Sequence, residues 1–328
     1  MAWTLADLAK IETDPNRGRV MDTLLWEVPM MEKIPWETTG QLSKRMVRIQ
    51  DLPSVGTRKI NAAFTESTGT LLQEVENISI FGAYCDVDEV IARVSNTIED
   101  ARLISERMHT KAMGYKFNDK FINGDPAVRE EEFKGLKERI NYLRSVDGGS
   151  FTGQYIDNAG TSGYGILQAT AERHNFIDHL HKLCHAVRGH KPDMLLMNSD
   201  CIMALGSALR RESLYQTTKD MFDRVVDMFM GVPLIDMGTT ADQTTQIITS
   251  TETLEAAGGA ESTSIYAVKF GEGEFLWGIQ TFPLEVKDLG LQQTTPKYRT
   301  QIQWPLGLAM IDPYSIARHY GIIPTNQT

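Results

Sequence analysis

The stretch DVDEVIARVSNTIEDARLISERMHTKAMGYKFNDKFINGDPAVREEEFKGL, residues 86–136, decides how the rest of the chain is read. Asp86 stands where a helix N-cap is needed. Glu89, three residues on, gives the capping-box spacing in which two side chains satisfy orphan backbone donors reciprocally. Val87, Val90, Ile91, Val94, Ile98, Ala101, Ile104, Met108 and Ala112 then recur at steps of three and four, so the spacing predicts one helix from Asp86 to about Lys116 with a single buried face. At 1.5 Å per residue such a helix runs about 45 Å, longer than helices of ordinary globular domains. Gly124-Asp125-Pro126 supplies the turn chemistry that stops it, and Gly135-Leu136 resumes an apolar segment.

Upstream, residues 36–80 change character. Leu42 to Ile49 reads as a strand, Pro53-Ser54-Val55-Gly56 as a tip, and Thr70 to Ile80 as the return strand. This excursion has few core residues and is basic. Between Gly40 and Ile60, Lys44, Arg45, Arg48, Arg58 and Lys59 stand against Asp51, a local charge of +4. Between Glu66 and Glu106, nine carboxylates stand against Arg93 and Arg102, a local charge of −7. Adjacent blocks of opposite sign suit contact between copies, although two solvated faces read the same way and an exposed ion pair contributes only about 0–1 kcal/mol. Residues 1–35 are broken by Pro15, Pro29 and Pro35 and scatter Trp3, Leu24, Leu25 and Trp26, the pattern of an arm that must bury apolar groups on its own body or on a neighbouring copy.

Downstream, helices are expected over Ala169–Arg188 and Ser199–Arg211, the second after a strand-like Pro192–Asn198. Strands follow at Val232–Ile235, Ile265–Phe270 and Glu274–Val286. The glycine-rich segment 148–165 lacks G-x-G-x-x-G, and the chain has no Gly-Lys pair for a phosphate loop; Gly160-Thr161-Ser162-Gly163-Tyr164 falls one residue short of a nucleophile elbow. Five of the seven histidines lie in 174–190, where His174, Asp178, His181 and His185 share one helical face. Phe176, Ile177, Leu180, Leu183, Cys184 and Val187 form a separate apolar stripe, so the imidazoles read as the polar side of an amphipathic helix.

The whole chain, 328 residues with 41% hydrophobic and 23% charged content, has globular composition, with no apolar run of the ~18 residues that a bilayer span requires. A net charge of −10 opposes free polyanion binding. Three separated cysteines, Cys85, Cys184 and Cys201, read as buried thiols in a reducing compartment, and the N-terminus lacks a signal-peptide pattern.

Taken in order, the long helix, the Gly124-Asp125 turn with Gly135-Leu136, Pro192–Arg210, Gly231-Val232-Pro233-Leu234 and Trp304–Gly321 resemble the major capsid protein family of tailed bacteriophages, which has the Hong Kong 97 fold. The resemblance covers nearly the whole chain and implies an α+β subunit with an N-terminal arm (1–35), an extended β-hairpin loop (36–80), a peripheral domain with the spine helix (81–147) and an axial domain (148–280). Return strands of the peripheral domain (281–306) and a C-terminal part of the axial domain with a terminal helix after Asp312-Pro313 (307–328) complete it. Inter-subunit contacts are expected from Lys44, Arg45, Arg48, Arg58 and Lys59 of the loop, from Trp3, Leu24, Leu25 and Trp26 of the arm, and from an acidic spine face of Asp88, Glu99, Asp100 and Glu106.

The implied function is non-enzymatic. Hexamers and pentamers of identical subunits form the icosahedral shell of a virion around double-stranded DNA, which is held without sequence-specific binding. The implied partners are a portal protein and optional decoration proteins, with no cofactor and no membrane. Because the sequence enters the arm almost directly after Met1, a separate scaffolding protein is expected, with assembly in the host bacterial cytoplasm. The family's founding member joins a loop lysine covalently to a neighbour; Lys44 and Lys59 on a loop read as solvated, so a non-covalent shell is expected. An encapsulin-like nanocompartment keeps the fold and changes the cargo. A metal-dependent enzyme using His174, His181 and His185 is the alternative from another class.

Overall fold

The computed structural model describes residues 3–94, 101–145, 152–157, 164–166, 170–214, 216–219, 222–254 and 260–324. The chain starts with strand β1 (Trp3–Thr4), helix α1 (Leu5–Ile11) and helix α2 (Pro15–Glu27). Thr4 and Asp7 form a capping box on α1, and Asp14 caps α2 with Pro15 at its first turn. Strand β2 (Pro35–Thr38), the hairpin strands β3 (Ser43–Asp51) and β4 (Thr70–Asn77), and strand β5 (Ser79–Asp88) follow. Then come helices α3 (Glu89–Val94), α4 (Ala101–Asn123) and α5 (Leu136–Ser145). The next stretch holds β6 (Tyr155–Asp157), β7 (Tyr164–Gly165), α6 (Thr170–Ala186), β8 (Met194–Met197) and α7 (Ser199–Arg211). The last contains β9 (Gln216–Lys219), β10 (Val225–Phe229), β11 (Val232–Asp236), β12 (Glu252–Leu254), β13 (Ala260–Val268), β14 (Leu276–Gln280), β15 (Glu285–Leu291), β16 (Lys297–Met310) and β17 (Ile316–Ile323).

Among the described residues the strands form three sheets. The first runs β1-β2-β14-β16-β15 with β5 paired to β16; the second runs β6-β17-β13-β8-β11-β10-β9 with β12 and β7 at its margins; β3 and β4 pair only with each other. The first sheet packs against α4, α5 and the arm through an aromatic core of Trp36, Phe81, Phe117, Phe121, Phe133 and Trp304, with the Trp36 and Trp304 rings 4.7 Å apart. Gly278 lies flat under the Trp36 ring, which occupies the space a Cβ would need. The second sheet carries α6 and α7. Its central β8, buried at every position, is the continuous apolar run expected of a strand covered on both faces.

Several expectations are corrected. Asp86, Val87 and Asp88 are the end of β5, because they pair with Arg299, Tyr298 and Lys297 of β16 and the Asp86 carboxylate accepts two Arg299 hydrogen bonds at 2.7 and 2.6 Å. The cap falls two residues later, where Asp88 accepts from the Val90 amide at 2.9 Å. The 23 residues of α4 span about 35 Å, and positions 95–100, including Ile98, Glu99 and Asp100, lie outside the described residues. The buried stripe also differs. Met113, Phe117 and Phe121, at steps of four, face the core with Thr110, Gly114, Asn118 and Ile122, whereas Val90, Ile91, Val94, Ile104 and Met108 are exposed. Two buried aromatic rings outweigh the smaller side chains of the competing stripe.

The arm packs on its own body. Leu24 and Leu25 are core residues that, with Val20, Met21 and Val28, cover α4 at Gly114, where an added Cβ would lie 3.0 Å from Val28 Cγ2. The segment after Asp312-Pro313 makes one 3-10 turn and then strand β17, which is enclosed by β13 on one side and β6 and β7 on the other. The predicted strand over 274–286 divides at Pro283 into β14 and β15, both in the first sheet. That sheet therefore includes 276–280 and the whole of β16, across the expected limits at 280/281 and 306/307.

Candidate functional site

The β3–β4 hairpin is built inside out. In an antiparallel pair, residues directly opposite share a face. Lys44 opposite Glu76, Met46 opposite Glu74 and Arg48 opposite Leu72 form the face turned to the body. Arg45 opposite Val75, Val47 opposite Gln73 and Ile49 opposite Leu71 form the face turned to solvent. Met46, Arg48 and Glu76 are buried, while Val47, Ile49, Leu71 and Val75 are 44–70% exposed. Beyond the strands the loop leaves Leu52, Val55, Ile60 and Phe64 exposed as well. A soluble hairpin resting on its body normally buries apolar residues and hydrates charged ones; here the order is reversed.

Ion pairs and a small apolar cluster tie the inner face to the body. Glu76 accepts from the Arg139 guanidinium of α5 at 2.5 and 2.9 Å, Lys134 lies 3.4 Å from Glu74, and Lys44 pairs with Glu37, whose carboxylate also accepts from Trp277 Nε1 at 2.8 Å. Met46 packs with Trp277, Ile279 and Ala309. Gly307 allows the root to close on the sheet: an added Cβ there would lie 2.7 Å from the Asn77 carbonyl oxygen.

The predicted contact residues therefore divide. Arg45, Arg58 and Lys59 stand on the exposed hairpin, with Arg58 donating to the Ala62 carbonyl at 3.1 Å. Lys44 is engaged within the subunit, and Arg48 is buried on the inner face. Trp3 and Trp26 are half exposed, Trp26 lying under the Arg224 guanidinium at 4.5 Å, while Leu24 and Leu25 belong to the core. Asp88 caps α3 and Glu106 is half-buried on α4. The charge blocks drew attention to the basic residues. The apolar outer positions Val47, Ile49, Leu71 and Val75 are legible only once strand alternation is set against the ion-paired face.

Beside the hairpin, β5 and α4 enclose a cavity of about 320 Å³. Ile80, Phe81, Ala112 and Met113 line it together with the ionisable side chains of His109, Lys116, Lys120, Glu131 and Glu132.

The histidine helix buries Phe176, Ile177, Leu180, Leu183 and Cys184, as its stripe predicts. Its imidazoles go to separate partners: His174 lies 3.4 Å from Glu212, His181 packs edge-on to Phe229 at 5.0 Å, and His185 faces His190 at 4.9 Å. Among the described residues no group of three or more His, Cys, Asp or Glu side chains is placed to hold a metal ion. Likewise, no helix among them is long and apolar enough to cross a membrane. Burial pushes the free thiols of Cys85 and Cys184 up to about 11 and that of Cys201 up to about 12.

His319, at the centre of β17, is fully buried against Phe176, and its ring lies 5.6 Å from His179. Burial first, and then the His179 charge, holds it down at about 3. The folded value lies below the ~6.5 of an unfolded histidine, so protonation favours the unfolded chain. This stability is present above about pH 6.5 and is lost as pH falls toward 3. Between pH 7 and pH 5 the loss is about 2 kcal/mol. Unfolding midpoints of wild type and His319→Phe at both pH values test it: the variant should lose less on acidification, and equal losses would refute the assignment.

A family model described as major capsid protein GP7 matches residues 12–165. No curated protein matches the chain in sequence. Solved structures match it along most of its length. The holo-SrpI encapsulin complex of Synechococcus elongatus PCC 7942 superposes with a TM-score of 0.60 at 16% identity, covering 91% of this chain and 89% of that one. The capsid of a native GTA particle gives 0.56 at 14% identity, covering 92% and 90%. A structure from Mycobacterium phage Bobi gives 0.54 at 13% identity, covering 90% and 89%. The chain thus shares its fold, along most of its length, with these encapsulin and capsid subunits, and residues 12–165 match the major capsid protein GP7 model.

Proposed function

We propose that this protein is the principal shell subunit of a tailed bacteriophage, assembling as hexamers and pentamers into an icosahedral container for double-stranded DNA. The observation that carries the reading is the inverted hairpin, an apolar outer face that the described residues of its own chain leave uncovered. A neighbouring copy supplies the cover in this reading. The cavity between β5 and α4 is a suitable receiver: Ile80, Phe81 and Met113 in its lining offer apolar contact, and Glu131 and Glu132, set among Lys116 and Lys120, are opposite in sign to Arg45, Arg58 and Lys59 of an incoming hairpin. Many such contacts, each weak, close a shell through multivalency. Scaffolding, portal and decoration proteins are the further partners of this reading, with assembly in the host bacterial cytoplasm. The net charge of −10 suits a wall that holds a packaged polyanion loosely.

The triple variant Val47→Glu, Ile49→Glu and Leu71→Glu tests it. All three positions are exposed, so the subunit should keep its unfolding midpoint, while particle yield by electron microscopy should fall at least tenfold. Wild-type yield would overturn the proposal. The fold shared with the encapsulin leaves a protein-loaded compartment as the second reading; mass spectrometry of particles decides it, by a packaged protein in place of DNA.

A further inference from the structure

On the buried face of α5, between Leu136, Ile140 and Leu143, stands an arginine. Arg139 is 3% exposed and its partner Glu76 is 1% exposed. Its hydrogen-bonding capacity is well used. One terminal nitrogen donates to Glu76 Oε1, the other to Glu76 Oε2 and, at 3.1 Å, to the Leu308 carbonyl of β16; Nε donates to the Lys134 carbonyl, also at 3.1 Å. The pair thus joins three elements: β4, α5 and β16.

A buried ion pair is a poor device for stability alone, since well-packed apolar residues of similar volume do as well or better. What the pair adds is direction. A planar fork on a carboxylate accepts a narrow range of angles, whereas an apolar contact slides. Glu76 is the penultimate residue of β4, immediately before the backbone passes through Ile78 into β5, so it sits at the pivot of the hairpin. The six residue steps of β4 from Glu76 to Thr70 make a lever of about 20 Å, and a rotation of about 10° at the root moves its far end by about 3.5 Å. Lys134 with Glu74 and Lys44 with Glu37 brace the same root from two other directions.

We infer that Glu76 and Arg139 are positioning residues that fix the angle at which the hairpin leaves the body, and through it the uniformity of shell size. The second clause rests on the shell reading above; the first does not. A surface that must meet an identical surface on every neighbour tolerates little angular spread, because each error is repeated at every copy.

The test replaces both partners in the full chain, Glu76→Leu with Arg139→Met, so that no unpaired charge is left behind. Spin labels on Gln73→Cys and Val128→Cys, one on the exposed hairpin face and one on the body, report the angle as a distance distribution in the unassembled subunit. The three native cysteines are buried. The distribution should be at least twofold broader in the double replacement than in the parent, with the unfolding midpoint unchanged or higher. Equal widths would overturn the positioning role, and a double replacement that fails to fold would show the pair to be a stability element instead. Arg139→Lys, which keeps the charge and loses the fork, is the second variant; it should also broaden the distribution. In assembly, the double replacement should give particles of mixed diameter, fewer than half in the parent size class. Uniform particles with a broadened hairpin would refute only the shell-size clause, and a parent that never closes shells would refute the shell reading while leaving the distance measurement decisive.

Discussion

Gly135→Ala is expected to abolish the native fold or to cost about 3 kcal/mol or more, the upper end of overpacking in a closed site. A Cβ at position 135 would lie 2.7 Å from the amide nitrogen of Gly124 and 2.7 Å from the carbonyl oxygen of Ile122, both backbone atoms. Neither has room to retreat. Ile122 is in the last turn of α4, and the Gly124 amide is held by the Lys120 carbonyl at 2.9 Å while its carbonyl accepts from the Gly135 amide at 2.8 Å. Relief requires the end of α4 to part from the start of α5. That would draw Phe133 away from Phe81 and Phe117, whose ring centroids lie 6.1 and 6.3 Å from its own. Gly124 is equally confined, by the Phe133 and Lys120 carbonyls. Denaturant unfolding measures the loss, with Gly18→Ala as the control. Gly18 is in α2 with open space around it, so alanine there should stabilise by about 1 kcal/mol. Similar midpoints for the two variants would sink the argument.

Arg139→Met alone should cost about 3–5 kcal/mol, because it leaves the Glu76 carboxylate buried without its cation. The deficit should shrink when the pH is lowered from 7 to 5. An unpaired buried carboxylate has its pKa raised above the unfolded value, so the folded variant binds the extra proton and gains stability, relative to wild type, as pH falls. Adding Glu76→Leu should restore most of the midpoint. A cost below about 1 kcal/mol, or one that does not change with pH, would show that the guanidinium does not carry the pairing energy.

Much of the fold was legible because its signals are local. Gly124-Asp125-Pro126 and Gly135-Leu136 punctuate the sequence, and the structure gives the reason: two backbones cross with no room for side chains. Helix α7 falls on Ser199–Arg211 as its periodicity predicts, and Asn198 caps it. The errors arose where two patterns competed. Residues 86–88 satisfy a capping box, yet a strand partner in β16, over two hundred residues away, takes them. On α4 two apolar stripes coexist, and spacing alone does not say which one meets Trp36 and Phe81. Ile316–Ile323 became a strand because the second sheet has a slot between β13 and β6, a long-range fact that Asp312-Pro313 does not encode. At the hairpin, charge singles out five basic residues without saying which face of the strand pair each occupies, and Lys44 and Arg48 turn inward.

The outward apolar face of the hairpin has a consequence for the life of the newly made chain. Among the described residues nothing hides that face, so on the shell reading proposed above each copy leaves the ribosome already adhesive, with no later trigger needed to arm it. Timing must then be set by abundance: below a threshold concentration free copies persist in solution, and above it they are consumed together. Overproduction without an escort should send the surplus into amorphous precipitate.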